Sequence, residues 1–274
     1  MAERVTRCRP LLGTFVEITG CESAIDAGFD AIERAHLLMS AHEPDSDLSR
    51  INRYAHEEPV EVDTWTAAVL ERALFWSRNS EGGFDVVAAG SAAIASGYLP
   101  LHRGQPRPAA AHWTWIEICG RTVRLLKPAC IDLGGIAKGF AVDRAVAAMK
   151  AAGCKAGLVN AGGDIAGFGP QPWPIQVVQP ADRRAIANVA VSNGAIATSS
   201  VLPDGTAGHL LRLAGDRVSA TVCAPSAMDA DALTKVVLSG SPAAARCLDL
   251  AEARAFVLDR NGSIHPLEAG REAA

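Results

Sequence analysis

The sequence has 274 residues, 49% of them hydrophobic and 20% charged, with a formal net charge of −4. That length allows a large buried core in one domain or two intimate ones, and no run of about 18 apolar residues offers a membrane span. The acidic balance, with a pI near 6.0, lacks the basic footprint needed to neutralise a phosphate backbone, so nucleic acid is not expected as a partner.

In chain order, the segment Met1–Pro10 is charged but has no apolar stretch of the kind a secretion signal carries, so a cytoplasmic protein is expected. Thr14–Thr19 alternates as a strand. Glu22–Ala41 predicts a helix from the spacing of Ile25, Phe29, Ile32, Leu37 and Leu38. A second helix is predicted over Thr64–Ser80, with Thr64 as N-cap, Gly82-Gly83 as terminator, and Ala67, Ala68, Leu70, Leu74 and Phe75 on its buried side. Trp115–Cys119 and Thr122–Leu126 flank Gly120-Arg121 as a hairpin.

The apolar run Cys130–Leu133 then reads as a short strand, turning at Gly134-Gly135 into a helix over Ile136–Ala152 that Gly153 stops. Strands are predicted at Leu158–Asn160, Ile175–Gln179, Ala187–Val191, His209–Leu213, Arg217–Val222 and Ala255–Leu258, and helices at Asp229–Leu238 and Ala243–Glu252. Surface loops are expected around Leu99–Pro108, Gly167–Pro174 and Pro203–Gly208. The elements do not alternate regularly enough for a doubly wound sheet, so the fold class is α+β.

Seven scattered cysteines without a C-x-x-C pair argue against a disulfide framework or a zinc site, and all are read as small buried hydrophobes in a reducing compartment. Seven dispersed histidines form no H-E-x-x-H, and no G-x-S-x-G elbow is present, so neither a zinc hydrolase nor a common serine hydrolase is indicated.

Three segments carry chemistry. In Ile131–Asp143 an acid precedes two glycines and a helix with Lys138 in its first turn. Such a turn suits a phosphate, through backbone N–H groups, the helix dipole and the lysine, and is equally well read as an ordinary glycine turn. Val159–Ile165 repeats the theme with Gly162-Gly163-Asp164, where a plain turn is the simpler reading. Ala227–Lys235 opens a helix with Asp229, Asp231, Thr234 and Lys235. Oxygens of this type suit a hard cation, although acids at a helix start also merely cap it.

Together with Leu12–Ile18, Pro44–Asn52, Ser80–Asp85 and Ala195–Ser199, these segments in this order resemble the FAD:protein FMN transferase (ApbE-type) family over about residues 10 to 260. The resemblance implies one flavin transferase domain over residues 1–274, with mixed or antiparallel sheets, packed helices, and an FAD cleft between two intimately joined lobes. It implies FAD contacts at Leu12, His42, Gly83, Phe84, Asp85, Asp132, Lys138, Gly163, Asp164 and Leu210. It also implies Mg²⁺ at Gly135, Asp231 and Thr234, and catalytic roles for Asp231, Lys138 and His209. The activity it implies is Mg²⁺-dependent transfer of the FMN half of FAD to a Ser or Thr hydroxyl of an acceptor protein, with release of AMP. An FAD pyrophosphatase releasing AMP and FMN, or a degenerate flavin binder, are the alternatives.

Three positions depart from the family pattern. His42 stands where an aromatic is usual, Gly208–Gly215 keeps His209 but lacks the usual acid and proline, and Lys235 replaces a threonine four residues after Asp231. A charged lysine cannot ligate a cation, so the expectation is either a weaker metal or a Lys235 that partly substitutes for its charge at the phosphates.

Overall fold

The computed structural model describes residues 4–99, 112–201 and 214–267. Strands β1 (Arg4–Leu11) and β2 (Thr14–Cys21) form a hairpin followed by helices α1 (Glu22–Met39) and α2 (Asp47–Tyr54). Next come β3 (Val60–Glu61), α3 (Thr64–Asn79) and α4 (Val86–Ala95). A 3-10 turn at Trp113–Trp115 leads into the hairpin of β4 (Ile116–Cys119) and β5 (Thr122–Leu125). Helix α5 (Ala137–Ala151) precedes β6 (Gly157–Ala161), β7 (Asp164–Phe168), β8 (Trp173–Val178), β9 (Ala185–Val191) and β10 (Gly194–Ser200). The described chain continues with β11 (Arg217–Ala224), α6 (Ala227–Leu238), α7 (Ala244–Leu250), β12 (Arg254–Asp259) and β13 (Ile264–Leu267).

Among the described residues eight strands form one sheet in the order β1-β2-β6-β7-β10-β11-β12-β13, with every pairing antiparallel. Its two faces differ because the side chains alternate: in β2, Val16 and Ile18 are buried while Phe15 and Glu17 are exposed. The buried face is covered by α1, α5 and α6, with α5 packed on both of the others. Full burial of a side chain such as Phe29 or Ile32 of α1 contributes about 1.5–3 kcal/mol, which holds the amphipathic helices to the sheet. The hairpin β8–β9 lies on the opposite face, where Ile175, Val177 and Val191 meet Ile196 in a smaller cluster.

A second sheet, β3-β5-β4, sits with α2 to α4. The main core runs unbroken from Val16, Phe29 and Leu233 to Leu48, Ile51, Leu70 and Trp76 in this second region. Along the outer rim of the large sheet, Arg7 of β1 reaches Glu22 and Arg9 reaches Asp26, each at 2.7 Å. At the other described edge, Pro266 of β13 lies opposite Phe256.

The α+β class holds, and the predicted helices α1, α3, α5, α6 and α7 and the β4–β5 hairpin lie where expected within a residue or two. Several details differ. Asp63, not Thr64, caps α3, its carboxylate accepting from the Trp65 N–H at 2.9 Å. Ala68 faces solvent, because the buried stripe of α3 is Thr66, Val69, Ala73 and Trp76 beside Ala67 and Leu70. Cys130–Leu133 joins no sheet. Instead Asn52 imitates a strand partner, donating to the Ile131 carbonyl at 3.0 Å and accepting from its N–H at 2.7 Å.

Cys130, Cys154 and Cys247 are buried as expected, but Cys8 and Cys119 are exposed and Cys21 and Cys223 half-buried. The strand expected at His209–Leu213 lies outside the described residues. Strands β1, β3, β7, β10 and β13 and helices α2 and α4 were not predicted as elements.

Candidate active site

Two tight turns build one wall of the site. Leu12-Gly13 joins β1 to β2, and Gly162-Gly163 joins β6 to β7. All four residues have positive φ (56°, 70°, 65° and 103°), the signature of the turn whose twist matches paired strands. Because β2 pairs with β6, the two turns lie side by side. A side chain at position 162 would place its Cβ 2.7 Å from the Thr14 hydroxyl, so the close approach itself requires glycine.

The opposite wall is the turn into α5, where the Asp132 carboxylate accepts from the Gly134 N–H at 2.8 Å. With the residues after α1 and Tyr98 beyond α4, these turns enclose a cavity of about 300 Å³, lined among others by Leu12, His42, Tyr98, Asp132, Ala137 and Lys138. That is the lower end of the range for small-molecule sites.

Behind this cavity lie two lysines and two aspartates. Lys138 is the second residue of α5, Asp164 the first of β7, and Asp231 and Lys235 are one turn apart on α6. They meet because α5 and α6 touch backbone to backbone: a Cβ on Gly139 would stand 2.2 Å from the Ala227 carbonyl oxygen. Asp143 of α5 fixes the crossing. It accepts from the Ser226 hydroxyl at 2.8 Å and from the N–H groups of Ala227 and Met228 at 2.9 and 3.0 Å, capping α6 from a neighbouring helix.

Lys138 pairs with Asp164. Asp231 is fully buried; one carboxylate oxygen accepts from the Gly139 N–H at 3.2 Å and the other pairs with the Lys235 ammonium. The Asp231 carbonyl accepts from Lys235 at 3.0 Å and from the Thr234 hydroxyl at 2.6 Å. With its proton so placed, Thr234 accepts from Ser199 of β10 at 2.7 Å.

Burial works against the Lys138 charge, but the charges of Asp164 and Asp231 outweigh it and hold the ammonium above its ordinary value. Burial likewise opposes ionisation of Asp231, and Lys235 and Lys138 overcome it, keeping that carboxyl below the usual 3.8. The site therefore offers a permanently charged ammonium on the wall of a cavity.

Leu12, His42, Asp132 and Lys138, expected from the sequence, all line the cavity. Gly163 faces an adjoining groove of about 650 Å³ on the far side of its turn, with Thr14, Phe15 and Asn160. The trio Gly83, Phe84 and Asp85 is absent from the lining. Gly83 packs on Ser241, Phe84 lies behind Gly135, and Asp85 caps α4 through the N–H groups of Val87 and Ala88 at 2.9 and 3.0 Å. These three support the wall instead of forming it.

Asp229, expected among the oxygen donors, is drawn away to α3, held by Arg72 at 2.6 and 2.8 Å and by the Trp76 indole at 2.8 Å. Part of the expected cradle of backbone N–H groups is engaged within the turn, since Gly134 donates to Asp132, Ile136 and Ala137 donate to Leu133, and Gly139 donates to Asp231. The Lys138 ammonium is the cationic group on the cavity wall. His209 and Leu210 lie outside the described residues.

Tyr98 is a lining residue that sequence reasoning missed. It stands alone after Gly97, with no motif around it, and burial together with the Asp132 charge raises its phenol above the ordinary value.

Fold and site together define an α+β protein with a lysine-walled cleft at the hairpin turns of a large antiparallel sheet. The chain belongs to the ApbE family, whose profile matches residues 12–257. The FAD:protein FMN transferase of Treponema pallidum is 29% identical over 180 residues, covering 60% of this chain and 49% of that protein. The one from Haemophilus influenzae is 27% identical over 190 residues, covering 61% and 55%. The chain thus spans about half the length of these curated relatives. The flavin transferase ApbE from Vibrio cholerae shares the fold at a TM-score of 0.84, with 24% identity over 98% of both chains. The ApbE protein of Thermotoga maritima does so at 0.83, with 24% identity over 97% of both.

Proposed function

We propose that this chain transfers the FMN half of FAD to a Ser or Thr hydroxyl of an acceptor protein and releases AMP. The observation that carries this reading is the Lys138 ammonium, held charged by Asp164 and Asp231 on the wall of a cavity with apolar and aromatic lining. Family membership and the activity by which its relatives are named support it. In the proposed arrangement Leu12, His42 and Tyr98 contact the flavin ring and Lys138 the diphosphate. Tyr98 supplies the aromatic surface that His42 does not.

The acceptor oxygen forms a bond to the FMN-side phosphorus as the bridging P–O bond to AMP breaks, its electron pair leaving on AMP. The hydroxyl proton passes to a base, a role we assign to His209. Such a reaction asks for alignment and charge neutralisation more than for a covalent enzyme intermediate, which suits a lysine-walled cleft.

The Mg²⁺ implied by the resemblance would take oxygens of Gly135, Asp231 and Thr234. That donor set does not fit a second cation. Both Asp231 carboxylate oxygens and its carbonyl already accept hydrogen bonds, and the Thr234 proton points at that carbonyl.

The test is chromatography of nucleotides after incubation with FAD, with and without a peptide presenting a Thr or Ser acceptor. AMP release that requires the peptide and leaves flavin attached to it is expected. AMP with free FMN in the absence of peptide would replace the transferase by a pyrophosphatase, and intact FAD with every acceptor tried would leave a flavin binder.

A further inference from the structure

We infer that Lys235 is the resident cation of this site, standing in place of a divalent metal ion, so that the protein binds and uses its ligand without metal. The use of the ligand rests on the proposed transferase reading; the occupancy of the site by an ammonium does not. Three residues were expected to surround a metal: Gly135, Asp231 and Thr234. The Lys235 side chain occupies that space. Its Cε lies 3.3 Å from where a Gly135 Cβ would stand, and its ammonium pairs with the Asp231 carboxylate and donates to the Asp231 carbonyl at 3.0 Å.

The position is built in by the helix. Residues 231 and 235 are one turn apart, so the lysine stem runs along α6 directly to the carboxylate below it. The side chain is 11% exposed, which leaves it little room to swing into solvent. A threonine at 235, the residue usual in the family, is too short to reach that far and adds an oxygen donor. Mg²⁺ demands near-ideal octahedral oxygen geometry and gives up water reluctantly, and Lys235 both fills one side of such a shell and repels the ion. With Lys138 on Asp164 and Lys235 on Asp231, two ammonium groups already balance the two buried carboxylates.

Electron paramagnetic resonance of Mn²⁺ tests this directly, because bound Mn²⁺ loses the sharp signal of the free ion. The wild-type protein, with and without FAD, is expected to bind no Mn²⁺ beyond what FAD alone takes up. Lys235→Thr is expected to bind about one ion per chain, and Lys235→Thr with Asp231→Asn to lose it. In parallel, flavin fluorescence should give an FAD affinity for wild type that changes less than twofold between EDTA and excess Mg²⁺. Any AMP release should be equally insensitive.

Mn²⁺ binding by wild type that Asp231→Asn removes would overturn the inference, as would a tenfold metal dependence of FAD affinity. A Lys235→Thr protein with native circular dichroism that binds no ion would also overturn it; if that variant does not fold, Lys235→Gln replaces it. Failure of the transferase reading would show differently, as absence of AMP under every condition while the Mn²⁺ result still decides the metal question.

Discussion

Asp231 illustrates how much one buried residue holds. Its folded-state value lies below 3.8, so its ionisation adds stability above that pH, and the contribution is lost as pH falls from about 3.8 through the depressed value. Asp231→Asn should therefore flatten the acid limb of a stability–pH profile. At pH 7 it leaves Lys235 without its buried partner, at a cost of about 3 kcal/mol in urea unfolding; a variant as stable as wild type would show that the pair is not formed. Asp229→Ala should cost about 2 kcal/mol in the same measurement by leaving the Trp76 indole and the Arg72 guanidinium unpaired, with FAD affinity little changed. At this scale the sequence was informative where a residue acts close to its own segment, as with Leu12, Asp132 and Lys138. It misassigned Asp229 because a position two residues from Asp231 points to the opposite side of α6, toward a partner 157 residues away.

Among elements, the crossing of α5 and α6 governs the site. Gly139→Ala would drive a methyl group into the Ala227 carbonyl at 2.2 Å. The helices would have to separate, at a cost of about 1–3 kcal/mol. Melting temperature should fall, and FAD affinity with it, because Lys138 and Asp231 shift relative to each other; unchanged affinity in a destabilised protein would separate the crossing from the ligand site. Helical periodicity made α1, α3 and α5 legible, since each keeps an exposed side opposite its buried residues, whereas α6 is buried on nearly every side. It failed for α4, whose sequence Val-Val-Ala-Ala-Gly-Ser-Ala-Ala-Ile-Ala has no polar face to set a period, and for β10, made of small residues. The Asp143 cap and the Asn52 clasp of Ile131 join segments 79 or more residues apart, and spacing along the chain carries no trace of either.

For the molecule as a whole, the continuity of the core matters most. Trp76 is fully buried in it, and the same cluster includes Val16 beneath the large sheet and Val123 in the small one. Unfolding should therefore be a single transition, with tryptophan fluorescence and far-ultraviolet circular dichroism sharing one midpoint in urea; two resolved midpoints would divide the chain into separate units. The guanidinium groups along β1 and the proline in β13 bear on another property, the behaviour of the protein when concentrated. An unpaired strand invites a second molecule to extend the sheet, and charge or proline on the rim discourages that addition. Arg7 and Arg9 thus act as guards of colloidal stability, and replacing both with valine should make light scattering rise with protein concentration where the wild type stays monodisperse.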